Sequence, residues 1–159
     1  MQTNPEVKIF GNSKKHINRI VEMSNKINQF DLSNQRFNQK NINFFINSKE
    51  YDLYCFSLKD NYGDSGIVGY CLIKKDINVI YIDDIKISCR ALGRYIEPYF
   101  IFNLIILYKK NFNFVKFNYK KTNRNRPVKI FINNYLGTLK KIKIHLVNEL
   151  DYFKNFKKK

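Results

Sequence analysis

The chain has 159 residues, 44% of them hydrophobic and 16% aromatic, which is enough apolar material for one buried core and excludes a disordered polypeptide. A formal net charge of +16 points to a solvated basic surface or to acidic partners such as nucleic acid, an acidic protein or a phosphate-bearing ligand. No apolar run reaches the length of a membrane span, MQTNPEVKIF lacks the layout of a signal peptide, and Cys55, Cys71 and Cys89 show no paired spacing. The expectation is a cytoplasmic protein with reduced thiols and no zinc site, since neither His16 nor His145 lies near a cysteine pair.

In chain order, residues 1–12 read as a polar lead-in, 13–150 as one domain and 151–159 as a basic tail. A helix is predicted from Ser13 as N-cap, with Ile17, Ile20, Val21, Ser24 and Ile27 on one face. Asn28 to Ser33 interrupts it, and a second helix capped by Ser33 would carry Phe37, Ile42, Phe44 and Phe45 to the core. Asp52–Lys59 alternates as a strand, Asn61–Gly66 turns, and Ile67–Ile73 returns, with Gly69 marking a bulge or a close backbone approach. Val79–Ser88 completes a three-stranded antiparallel meander. The helix after Arg94 is apolar nearly all round (Ile96, Tyr99, Phe100, Phe102, Leu104, Ile105, Leu107), so it is buried on more than one side. Pro98 falls in its first turn, where a missing N–H costs little. A strand at Asn113–Asn118, a short helix opening at Pro127 and a last strand at Leu139–Val147 finish an α+β layout, a mostly antiparallel sheet with helices on both faces.

The stretch with the most chemistry is Tyr81–Glu97, YIDDIKISCRALGRYIE. A strand runs into a glycine-containing turn that opens a helix, which aims backbone N–H groups and the positive helix end at one spot and favours an anion there. The spacing Arg90-x-x-Gly93 resembles the loop by which GNAT acyltransferases hold the pyrophosphate of coenzyme A, and the element order is that of a GNAT fold. Three blocks in sequence resemble the C-terminal half of FkbH-like proteins. They are Arg19–Met23 with Lys26–Ser33 and Gln35–Phe37 (with Ile27 where the family has Thr), then Leu58–Gly69, and then Ile82–Asp84 with Ser88–Arg94 and Glu97. The resemblance spans roughly Arg19–Gly137 and implies a GNAT-like acyltransferase fold. In full-length members this half follows a HAD-like domain that loads a glyceryl thioester onto an acyl carrier protein. Eighteen residues precede Arg19 in this sequence, too few for such a domain, and the expectation is therefore an acyltransferase half to which the glyceryl chemistry is not carried over.

What the resemblance implies is acyl transfer from acetyl-CoA, another acyl-CoA or a carrier-protein phosphopantetheine thioester to an amine or hydroxyl of a sugar or amino acid. The rivals are FkbH-like transfer to an acyl carrier protein with a separate HAD partner, and a non-catalytic basic module for nucleic acid or an acidic protein. Ile87, Ser88, Arg90, Ala91, Leu92, Gly93, Arg94 and Tyr95 are the cofactor-loop candidates, with Asn125 at a GNAT position that contacts cofactor or water. A backbone N–H near Ile87 would hold the oxyanion. Tyr95 departs from the Gly or Ala expected there, and Phe131-Ile132 stands where GNATs have Phe-Tyr, leaving Tyr135 as the substitute acid. Asp83 and Asp64 are the candidate bases, with Asp64 equally readable as a turn residue bonding its own backbone. Asp83 and Asp84, adjacent on a strand, are expected on opposite sides of the sheet. Asn28, Gln29, Phe30 and Asp84 are candidates for the acceptor side, and Cys89 reads as a small hydrophobe. Aromatics in the last strand raise the possibility of a homodimer.

Overall fold

The computed structural model describes residues 5–136 and 142–144. Its sheet orders β1 (Glu6–Gly11), β3 (Tyr51–Asp60), β4 (Gly63–Lys75), β5 (Val79–Ile87), β6 (Phe114–Phe117) and β7 (Ile142–Lys143), with the two-residue β2 (Phe30–Asp31) paired to β5. Every pairing is antiparallel except β5–β6. Helices α1 (Ile17–Lys26) and α2 (Gln39–Asn47) cover one face, where Ile20, Met23 and Ile42 meet Leu53, Tyr70 and Leu72. Helices α3 (Ile96–Leu107) and α4 (Arg126–Tyr135) cover the other, where Phe100, Phe102, Val128 and Phe131 meet Phe56, Ile80, Ile82 and Val115. The α+β architecture is therefore as the alternation and helical periods predict.

The hairpin-linked meander β3–β4–β5 also matches. At Gly69 a Cβ would come within 2.3 Å of the Phe56 ring and 3.0 Å of the Lys86 carbonyl, and the β3–β4 register slips beside it, between Phe56 and Ser57. The glycine serves a close approach.

Three expectations are corrected. Glu6–Gly11, read as a polar lead-in, is an edge strand in continuous register with Tyr54–Lys59. Ser13 does not cap a helix with its side chain; a 3-10 turn, Lys14–His16, precedes α1. The second helix opens at Asn38, not Ser33: the Asn38 side chain accepts from the Asn41 N–H at 3.0 Å and the Asn41 side chain accepts from the Asn38 N–H at 2.9 Å, a reciprocal capping box. Of the strand predicted at Leu139–Val147, Ile142–Lys143 is seen as β7; the rest, and the tail, lie outside the described residues.

Candidate active site

Between Ile87 and Ile96 the chain makes the predicted turn. Gly93 has φ +77° and Tyr95, the N-cap of α3, sits in the left-handed region at φ 60°. Gly93 takes this conformation without steric cost, whereas Tyr95 adopts one that a bulky residue rarely does. The Tyr95 side chain is 65% exposed and lies along the rim of a cavity rather than filling the turn. The loop's amides are partly spent. Ala91 N–H donates to Ser88 O at 2.9 Å, Leu92 N–H to Cys89 O at 3.3 Å, and Gly93 N–H to the Glu97 carboxylate at 2.9 Å. Ala91 is fully buried, whereas Cys89, expected as a small buried hydrophobe, is exposed. Arg94 does not face the turn: its guanidinium pairs with Asp60 on the β3–β4 hairpin. Arg90 is left as the exposed cation of the turn.

Beside this turn, α3 and α4 enclose a cavity of about 260 Å³ lined by Phe30, Gly93, Tyr95, Glu97, Phe131 and Tyr135, among others. Tyr135 packs against Phe102 and Phe131. Burial, and then the nearby Glu97 and Tyr95, raise its phenol above the ordinary value, so it keeps its proton at neutral pH. Tyr135 thus reaches the cavity shared with Gly93, although the residue at the usual position is Ile132, which packs on the core.

Strands β5 and β6 run parallel only from Val79–Ile82 and Phe114–Phe117, and the last bond of the pair is Asn118 N–H to Ile82 O at 3.0 Å. Beyond it they diverge, but the gap is occupied. Phe30 and Asp31 pair with Ile87 and Lys86, and Leu32 N–H donates to Ile85 O at 2.9 Å. On the far side of β2, Lys120 N–H donates to Leu32 O at 2.9 Å, and the Asn125 amide nitrogen donates to Asp31 O at 2.9 Å and Lys120 O at 2.8 Å. Its oxygen accepts from Thr122 N–H at 2.8 Å, so buried Asn125 is spent on backbone groups. Phe30 is buried against Phe131, with ring centroids 5.8 Å apart, while Asn28 is half-buried and Gln29 exposed ahead of it.

A charged network, not legible in the sequence, pins this strand. Lys86 is 0% exposed, with Nζ 2.8 Å from Asp31 Oδ1 and 2.9 Å from Asp84 Oδ2. Asp31 Oδ2 also accepts from Arg36 at 2.7 Å. Asp84 accepts from the Ser33 hydroxyl and the Tyr70 phenol, both at 2.7 Å. Burial first, and Asp84 next, push the Tyr70 phenol well above its usual value, so it remains a donor. Buried charges persist only when paired and hydrogen-bonded in this way. Asp84 is therefore sealed inside the network and does not face an acceptor. A bulge on β5, opposite Leu72 and Ile73, corrects the opposite-face expectation. Ile82 and Ile85 both stay in the core under α3, so neither Asp83 nor Asp84 points there.

Asp83 is half-buried on the α1/α2 side of the sheet, accepts from the Asn118 amide at 3.2 Å, and lines a second cavity with Lys74, Tyr81 and Lys116. Burial raises its carboxyl above the ordinary range, more than the Asn118 bond lowers it. Asp64 lies elsewhere, exposed on the β3–β4 hairpin, where its carboxylate accepts from Gly66 N–H at 2.8 Å, and in a third cavity with His16. Asp64 thus bonds its own backbone, but from within β4 opposite Lys59 and not from a turn, because the hairpin turn has narrowed to Asn61–Tyr62. The structure joins Tyr135 to the Gly93 turn, places Asp83 across the sheet near the β5–β6 gap, and separates Asp64 from both.

No protein-family model matches the chain, and no curated protein does. Solved structures do. The chain is similar to the ribosomal-protein-S18-alanine N-acetyltransferase of Escherichia coli at 9% identity and TM-score 0.60, covering 81% of this chain and 76% of that one. It is similar to an aminoglycoside acetyltransferase from an uncultured soil metagenomic sample at 14% identity and TM-score 0.58, covering 86% and 92%. A GNAT family acetyltransferase from Elizabethkingia anophelis, solved with acetyl-CoA bound, matches at 11% identity and TM-score 0.51, covering 80% and 72%. The chain has the GNAT acetyltransferase fold. Among the described residues no helix is long and apolar enough to cross a membrane.

Proposed function

We propose that the chain is a GNAT-type acyltransferase, moving an acyl group from a coenzyme A or carrier-protein thioester to an amine or hydroxyl of a small acceptor such as a sugar or amino acid. The observation that carries this reading is the cavity in which the Gly93 turn, the start of α3 and the protonated phenol of Tyr135 converge. Arg90 holds the donor's phosphates, together with the Gly93 amide once the Glu97 carboxylate has swung off it. An amine acceptor loses its proton through a water relay to Asp83, which lies across the sheet from the Tyr135 cavity near the β5–β6 gap and whose raised affinity for protons suits a base. The freed lone pair attacks the thioester carbonyl, and the tetrahedral intermediate collapses by breaking the C–S bond. Tyr135 gives its proton to the departing thiolate and is reprotonated from solvent.

A carrier-protein donor, FkbH-like or otherwise, is supported by charge. From Pro98 to Asn148 the sequence has eleven Lys and Arg and no Asp or Glu, and five of those cations (Lys120, Lys121, Arg124, Arg126, Lys129) are exposed around the start of α4. A non-catalytic basic module for nucleic acid or an acidic protein is favoured by one observation, the Glu97 carboxylate on the Gly93 amide that a phosphate would need. Calorimetric titration with acetyl-CoA separates these readings. Acyl transfer predicts micromolar binding, weakened about tenfold in Arg90→Ala, and turnover of an amine panel that drops about 100-fold in Tyr135→Phe with little change in KM. Absence of binding to both acetyl-CoA and an acyl carrier protein thioester at physiological salt would leave the basic-module reading.

A further inference from the structure

The strand that leads into the anion-binding turn is β5, and its outer edge changes partner halfway. Up to Ile82 the partner is β6; from Ile85 to Ile87 it is β2, a piece of the chain only two residues long. An extended ligand tethered by phosphates at Ser88–Arg94, and carrying amide groups as the arm of coenzyme A does, meets backbone partners on the strand edge next to that tether. It would bind there as an added strand. That edge is already filled. Asp31 and Leu32 make hydrogen bonds on both sides, to Ile85 on β5 and to Asn125 and Lys120 beyond β6, as such an arm would.

We infer that β2 is a built-in occupant of the donor groove, and that acyl-donor binding requires its release. The inference rests on the acyltransferase reading of the same site and adds its regulation. Two things hold β2 in place: Phe30 and Leu32 are buried in the apolar core on one face, and on the other Asp31 is clamped between Lys86 at 2.8 Å and Arg36 at 2.7 Å, with Ser33 tied to Asp84. What makes release feasible is its brevity. Exposed Gln29 precedes it and Asn34, at φ 58°, turns the chain sharply just after it. Donor affinity is then reduced by the fraction of molecules in which the groove is closed, and loosening the clamp restores it. Arg36 is the safe place to loosen it, because its guanidinium is partly exposed and Lys86 keeps both carboxylates without it.

The test pairs acetyl-CoA calorimetry on the whole chain with amide hydrogen exchange. Arg36→Ala is expected to bind acetyl-CoA about fivefold more tightly than the unaltered chain. On saturation, the amides of Leu32 and Lys120 are expected to lose protection while those of β4 do not. Binding by both proteins with equal Kd, and with Leu32 as protected as before, would overturn the inference and leave the acyltransferase reading standing. Binding by Arg36→Ala alone would support both. Binding by neither protein, whether to acetyl-CoA or to an acyl carrier protein thioester titrated in the same way, would end the acyltransferase reading, and this inference with it.

Discussion

The two halves of the outer edge of β5 are secured in different ways. Along Val79–Ile82 the neighbour is β6, and the contact is apolar, with Ile80 and Ile82 packed with Val115 under α3. Along Ile85–Ile87 the neighbour is β2. One face is again apolar, with Ile85 and Ile87 beside Phe30, but the other is ionic, with Lys86 between Asp31 and Asp84. Hydrophobic burial is non-directional and tolerates small displacements. A buried ion cluster is worth little while complete and costs a great deal once one member is lost. The first half is thus a fixed part of the sheet, and the second is a joint whose strength depends on a few named charges.

Removing the central cation should have the largest effect. Lys86→Ala leaves Asp84 and Asp31 buried with fewer compensating charges, and a loss of about 3–5 kcal/mol in urea unfolding is expected. The defect should shrink as pH falls, because carboxylates deprived of their cation are neutralised more easily. Next in size is Ile82→Ala, which cuts a cavity into the apolar half at a cost of about 2–4 kcal/mol. Its defect should not depend on pH. Equal pH profiles for the two variants would show that the halves of β5 do not differ as described.

The same contrast explains what could be read from the sequence. Long periodic segments were legible: the alternation of β3, β4 and β5, the all-round apolar α3 and the turn at Arg90–Gly93 appear as predicted. Elements without a period were not. Strand β1 is an edge strand with most of its residues exposed or half-exposed, so EVKIFG carries little hydrophobic signal. Strand β2 is too short to show any alternation, and its partner Lys86 is 55 residues from Asp31, beyond any local pattern. Ser33 resembles a helix cap in sequence, but its hydroxyl is committed to Asp84, and Asn38 takes the cap. The Asp83–Asp84 pair fails the alternation rule because a bulge inserts one residue, a device that strand propensity does not reveal. In the candidate site, the turn was visible in its spacing. The tenancy of the groove and the reach of Tyr135 into the cavity depended on packing between distant elements.

Asp83 sits where the two halves meet, and it gives the smallest and most local prediction. Burial lifts its carboxyl above the ordinary value near 3.8. The folded chain therefore holds this proton more tightly than the unfolded chain does. Between the unfolded and folded values, stability falls as pH rises, and above the folded value the penalty for the buried charge is fully present. Asp83→Asn removes that penalty, and its carbonyl can still accept from Asn118. The variant should melt about 1–2 °C higher than the unaltered chain at pH 7, and the gain should vanish as pH approaches 4. A gain that persists at low pH would mean that the carboxylate is not the source of the strain at this junction. A loss at neutral pH would mean that the charge is compensated there by Lys74, the one cation that lowers its pKa, more fully than its burial implies.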